Sequence, residues 1–265
     1  MVRTVWTKTL RDQRRALGWW SLGFVLTVFM YAAFWPNVHA NAAQFNQYIE
    51  RMPAAIKNMM GGANFGTPEG YVQTELFSFL GPVLLLVYAI GAGARSIAGE
   101  EEAGTLDLLL STPLARRRVL LNNFGAMLSA TLYLAMLTWL ALVVLGPLYE
   151  LHLPLGGPLA ATLNLFLLAL AFGAVALLVG TATGNKGAAV GVSSGLAVVT
   201  FVLNTLAPSV GALKPVRFLT PFHYYSAHQP ITNGFNGIDI LVLFGISLIA
   251  LLLALATFER RDLAT

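Results

Sequence analysis

The chain has 265 residues, of which 57% are hydrophobic and only 11% charged, with a formal net charge of +4 and a mean hydropathy of +0.70. That balance speaks for a polytopic membrane protein and against a soluble fold. No cysteine is present, which removes disulfides, thiolate metal sites and cysteine nucleophiles together.

Uncharged stretches set the fold class. Nothing charged lies between Arg15 and Glu50, Glu75 and Arg95, or Arg118 and Glu150, nor from Leu151 to Asn185, Gly187 to Leu213 or Ile240 to Phe258. A helix needs about 20 apolar residues to cross a hydrocarbon core of about 30 Å. The expectation is an all-α membrane protein, a single transmembrane domain over 1–265, with six transmembrane helices near 18–36, 75–95, 119–147, 158–183, 187–207 and 238–258.

In chain order, residues 2–17 come first. Val2, Val5, Trp6, Leu10 and Leu17 recur at helical spacing among Arg3, Lys8, Arg11, Arg14 and Arg15, as in an amphipathic helix lying in the headgroup plane. The apolar run from Ala16 to Trp35 exceeds a signal-peptide core, so it is expected to stay as the first span. Trp19, Trp20 and Trp35 suit the two membrane interfaces. Residues 37–74 are too few for a core of their own and predict short surface helices. Within them Thr67-Pro68-Glu69 reads as a helix start: Thr67 caps, Pro68 takes the first helical position and Glu69 meets the positive helix end.

In the second span, Gly81-Pro82 removes one backbone hydrogen bond and predicts a kink. The segment 96–118 reads SIAGEEEAGTLDLLLSTPLARRR after Arg95. Glu100, Glu101 and Glu102 make an acidic start, Gly104 and Thr105 offer a break and a cap, and Pro113 stops a short helix. Leu106, Leu109 and Leu110 share one face of that helix, which either enters a partner's groove or folds back onto the membrane. Farther on, Gly184-Asn185-Lys186 predicts a tight hairpin between spans four and five. Gly187, Gly191 and Gly195 then recur every four residues, a spacing that permits close helix approach. Packing within the chain, a dimer seam and a substrate-cavity wall all remain open for them. Segment 208–237 mixes Pro208, Pro215, Pro221 and Pro230 with Phe218, Phe222, Tyr224 and Tyr225. That is too apolar for a solvated loop and too broken for a span, and it suits a re-entrant element shielded by protein.

Charge orients the spans. With both termini cytoplasmic, 12 of the 16 Lys and Arg fall on the inner side, leaving Arg51, Lys57, Lys214 and Arg217 outside, as the positive-inside rule requires. The scattering of basic residues among loops argues against a nucleic-acid surface.

Energy sources are missing from the chain. No acidic or basic residue stands near mid-membrane, which disfavours proton or ion coupling. Asn164 and Asn204 are the notable polar residues there and are expected to cross-link helices. The nearest string to a phosphate-binding loop, Gly180 to Lys186, has the wrong spacing. His39, His152, His223 and His228 all fall in outer segments. A site built on His223 and His228 lacks an acidic partner close in sequence. No catalytic site, cofactor or metal is expected on this chain.

Several blocks resemble one family, the permease subunits of ABC-2 type transporters, and the likeness runs over nearly the whole length. They are TKTLRDQRRALGWW near the start, TPEGY before span two, GEEEAGTLDLLLSTPLARRR after it, TPFHYY after span five and FERRDL at the end. The GEEExGTL block is the most specific. The resemblance implies two permease copies or homologues, each engaging a separate ATPase subunit that holds ATP and magnesium. It implies that Gly104 to Pro113 is the coupling helix, with Glu100, Glu101 and Glu102 beside the contact. It makes 2–17 a connecting helix and 208–237 re-entrant helices. Spans two and five then line the seam, which suits Pro82 and the glycine series. Asn122-Asn123 departs from the Gly-Lys pair of many relatives.

The expected function is therefore the membrane subunit of an ATP-driven exporter in a prokaryotic plasma membrane. It would move an amphiphile (drug, antibiotic, peptide or lipid) by alternating access, in contact with membrane lipid. Two rivals stand beside it: a membrane-embedded enzyme using His223 and His228, and a scaffold or signalling subunit that moves nothing.

Overall fold

A computed structural model describes residues 5–60, 64–104, 115–210 and 213–260. Among the described residues all regular structure is helical, and six helices are long and apolar enough to cross a membrane. We number the helices α1 (Val5–Ala40), α2 (Ala42–Glu50), α3 (Ala54–Met59), α4 (Pro68–Glu102), α5 (Arg116–Leu145), α6 (Gly156–Thr183), α7 (Lys186–Leu206), α8 (Pro221–Ser226), α9 (Pro230–Asn233) and α10 (Gly237–Arg260). The end carrying Glu102 and Lys186 is called proximal here, and the end carrying α8 and α9 distal.

Helix α1 is unbroken through 36 residues, about 54 Å at 1.5 Å per residue. The basic stretch before Gly18 thus belongs to the same continuous helix as the first span. Gln13 accepts a hydrogen bond from the Tyr88 hydroxyl at 3.0 Å, and Trp20 meets Tyr88 edge-on, which fixes α1 against α4. Around the distal end of α1, Tyr31, Trp35, His39, Phe45, Phe65 and Tyr71 stack in one aromatic chain. Through it Phe45 and Phe65 are tied to α1 and α4.

The predicted start of α4 is present. Thr67 Oγ1 accepts from the Gly70 amide at 3.2 Å, with Pro68 and Glu69 in the first turn. The predicted kink at Pro82 takes another form, because the helix widens to π geometry over Gln73–Leu80. There the Gly81 amide reaches the Leu76 carbonyl, five residues back. A Cβ at Gly81 would lie 2.6 Å from that oxygen, so only glycine admits the wide turn. In this register Pro82, which has no N–H, faces the Phe77 carbonyl and leaves it without a helical donor.

Helix α6 is the hub. Nearly four-fifths of its apolar window is buried inside the chain (78%), against 28% for α7 and 22% for α10. It meets α4 backbone to backbone, where a Cβ on Gly93 would sit 2.2 Å from the Gly173 carbonyl. Two backbones touch because neither residue has a side chain. The α6–α7 hairpin is built as its residues dictate: Gly184 takes a left-handed φ of 67° and donates to Gly180 O, and Asn185 Oδ1 caps the Ala188 amide at 2.7 Å.

Candidate translocation face and its two ends

Helices α4 and α7 leave a groove of about 250 Å³ lined wholly by apolar side chains, among them Phe79, Pro82, Leu86, Ala197 and Phe201. Pro82 is buried, and its flat ring forms part of the wall. Gly187, Gly191 and Gly195 are exposed on the same helix as Ala197. A Cβ on Gly191 or Gly195 would meet nothing within 4 Å, and one on Gly187 only the Asn185 side chain. Among the described residues no helix packs against those three glycines. Val190, Val192, Leu196, Val198 and Val199 are exposed beside them, so an apolar, small-residue strip of α7 is left uncovered.

The distal end is closed by side chains rather than by a long loop. Phe222 of α8 packs its ring against Phe172 of α6 and Phe201 of α7. Tyr225 is fully buried and its hydroxyl donates to the Phe77 carbonyl, the group that Pro82 orphans. Burial raises its phenol well above the usual range, so it stays a donor. Asn164 Nδ2 donates to the Tyr225 carbonyl at 3.4 Å, and Asn204 Oδ1 accepts from Arg217 Nε at 3.2 Å. Each asparagine thus hydrogen-bonds to a segment of the distal end.

The histidines have a partner that sequence proximity hid. Asp239, 1% exposed, accepts from His228 Nδ1 at 2.8 Å, an acidic partner that lies eleven positions away in sequence. The carboxylate is tolerable in so buried a place because it sits in the first turn of α10, where the helix end is positive. His223 is partly buried with an unpartnered Nδ1. Burial first, then Arg217, lower its pKa; Asp239 opposes them and His228 adds a smaller push down. A folded value below the ordinary 6.5 means that protonation favours the unfolded cap. Stability should be full above about pH 6.5 and fall as the pH drops toward the folded value. His223→Gln should flatten that acid limb in a thermal-unfolding series from neutral to mildly acidic pH; an unchanged limb would remove His223 as its source.

At the proximal end α4 stops where Gly104 takes a left-handed φ of 68°. Glu102 Oε1 accepts from the Lys186 backbone amide at 2.8 Å, which places an acidic side chain on the positive first turn of α7. The two ends of the 96–118 connection also meet. Buried Asn123 donates to Ser96 O at 2.9 Å and accepts from Thr9 Oγ1 at 3.1 Å, joining α1, α4 and α5. Glu100 and Glu101 are half-buried at the end of α4. The expected coupling residues Thr105, Leu106, Leu109, Leu110 and Pro113 lie outside the described residues.

Sequence reasoning missed Tyr225, Asp239, Asn123 and the Gly93–Gly173 contact. Only Tyr225 had a readable signal, since a proline inside a span implies an orphaned carbonyl in need of a donor. In comparisons with known proteins, residues 3–263 match the pattern of a family described as ABC-2 family transporter protein. No curated protein matches the sequence.

Proposed function

Because the chain belongs to the ABC-2 family of transporters, and so is the membrane permease subunit of an ABC transporter, we propose that it works as an exporter. In this reading a separate ATPase subunit binds at the proximal end, and the uncovered strip of α7 meets a second permease copy. The family match over 3–263 carries the reading.

The geometry supplies a route for the work. Glu102 ties the end of α4 to the first amide of α7, and these two helices wall the apolar groove. A push on the segment after Gly104 would reach both walls through that bond, tilting the groove between inward and outward access. Phe222 and Tyr225 would gate the outer exit, with 208–237 as its re-entrant cap. A groove without polar atoms suits the apolar part of an amphiphile rather than a hydrated ion. The proximal end would be cytoplasmic, consistent with its Arg95, Arg116, Arg117 and Arg118.

The test is reconstitution with the ATPase subunit in liposomes. Leu109→Asp, which would put a charge into an apolar subunit contact, is expected to lower nucleotide-driven transport by at least tenfold with membrane insertion intact. Normal stimulation of the ATPase by this variant would reject the coupling assignment. Pumping by the purified chain without nucleotide would reject the whole reading.

A further inference from the structure

A second cavity lies at the distal end, apart from the α4–α7 groove. It measures about 470 Å³ and is formed by the segment before α4, the first turns of α4, the chain at Pro154 and the turn into α9. Asn64, Thr67, Glu69, Gln73, Gln229 and Thr232 face it. The size is within the range of small-molecule sites.

Its walls are held by two backbone approaches that only glycine permits. A Cβ on Gly70 would lie 2.2 Å from the Asn64 carbonyl, and one on Gly157 2.0 Å from the Ile231 carbonyl. Gln229 is one of only two non-glycine residues with positive φ among those described (47°). Its carbonyl accepts from the Thr232 and Asn233 amides at 2.9 and 3.0 Å, which holds that conformation. Strain of this kind is kept where the surroundings fix it.

The polar content is lopsided. Gln73 is 8% exposed and its Oε1 has no hydrogen-bond partner. An unpaired buried acceptor costs roughly 1–3 kcal/mol, and none of the transport steps above uses it. Gln73 lines the cavity, and the terminal torsion of glutamine is broad, so its amide can turn the oxygen toward a ligand there. Glu69 is the one charged residue in the lining, and it forms no ion pair among the described residues.

We propose that this cavity is a binding site for a primary ammonium group, held by the Glu69 carboxylate and the Gln73 amide oxygen. An ammonium offers three donors and no acceptor, which matches the Glu69 carboxylate and the unpaired Gln73 Oε1. With no positive side chain among the described residues of the lining, a cation is favoured over an anion. A free amine and the headgroup of phosphatidylethanolamine share this chemistry, and the cavity lies at the end of the spans where either has access.

The full-length chain in phosphatidylcholine nanodiscs is titrated with ethanolamine, and with ethylene glycol as the uncharged match, by saturation-transfer NMR. Ethanolamine is expected to bind saturably and ethylene glycol not. Glu69→Gln and Gln73→Leu should each weaken ethanolamine at least tenfold. Native mass spectrometry of the chain from phosphatidylethanolamine membranes supplies the second arm. A retained phosphatidylethanolamine adduct that Glu69→Gln releases, with ethanolamine binding only after its removal, assigns the lipid headgroup. Ethanolamine binding without such an adduct assigns a free amine. Equal binding of both probes overturns the proposal, as does unchanged binding in Glu69→Gln, or neither ethanolamine binding nor an adduct. Gln73 is buried, so should Gln73→Leu fail to fold, partly exposed Glu69→Gln decides. The ATPase takes no part, so this result is independent of the transport reading.

Discussion

Tyr225→Phe is expected to lower the thermal midpoint of the purified permease by several degrees and to let the distal cap open. The variant removes one oxygen and little volume, so the packing of the ring among α4, α6 and α8 survives. What goes is the donor to the Phe77 carbonyl. That carbonyl has no substitute within its helix, because the residue five positions on is Pro82 and the Gly81 amide is already bonded to Leu76. In so buried a site the loss amounts to about 1–3 kcal/mol. Scanning fluorimetry in detergent measures the midpoint, and cysteine labelling at an introduced reporter on α8 measures the opening. A midpoint equal to that of the parent would show that the carbonyl finds another partner and that the cap is held by packing alone.

Gly93→Ala should be at least as damaging. Its methyl group would need to occupy space 2.2 Å from the Gly173 carbonyl, with Ala176 Cβ only 3.2 Å away. Backbone cannot swing aside as a side chain does, so α4 must separate from α6, the most deeply embedded helix of the bundle. Overpacking of this kind costs about 1–3 kcal/mol and sometimes more. The expected readout is a sharp drop in the folded fraction on size exclusion. Gly191→Ala and Gly195→Ala are the internal controls, since their added methyl groups meet nothing within 4 Å among the described residues. Both should leave the folded fraction of the single chain unchanged and weaken only an association of two permeases. If Gly93→Ala behaves as those controls do, the α4–α6 contact is looser than the structure has it.

These two contrasts show what a sequence makes readable. Signals carried by neighbours in the chain were legible: the Thr67 cap, the Gly184-Asn185 hairpin turn and the break at Gly104 each depend on residues within one helical turn. The number of spans followed from charge-free length alone. Contacts across the bundle were not. Tyr225 and Phe77 are 148 positions apart, and Glu102 and Lys186 are 84 apart. Nothing in either local pattern names its counterpart. The glycines show the same limit. A regular four-residue spacing drew attention to Gly187, Gly191 and Gly195, yet the helix contact inside the chain falls to the isolated Gly93 and Gly173. Spacing marks a strip suited to close approach and says nothing of whether a partner lies within the same polypeptide. Asn123 was noticed only as a departure from a family pattern, while its role comes from three helices converging on one buried amide.

Helix α4 carries two stretches of π geometry, Gln73–Leu80 and Arg95–Gly99, in an otherwise α-helical rod of 35 residues. A wide turn holds more residues per revolution than 3.6, so each one resets the azimuth of everything beyond it. The compass bearing of the Thr67 end and that of the Glu102 end are thereby set separately, although the rod between them is continuous. Tightening either wide turn to α geometry would rotate one terminus about the axis while the other stayed still, which makes this helix a torsional gearbox as well as a strut.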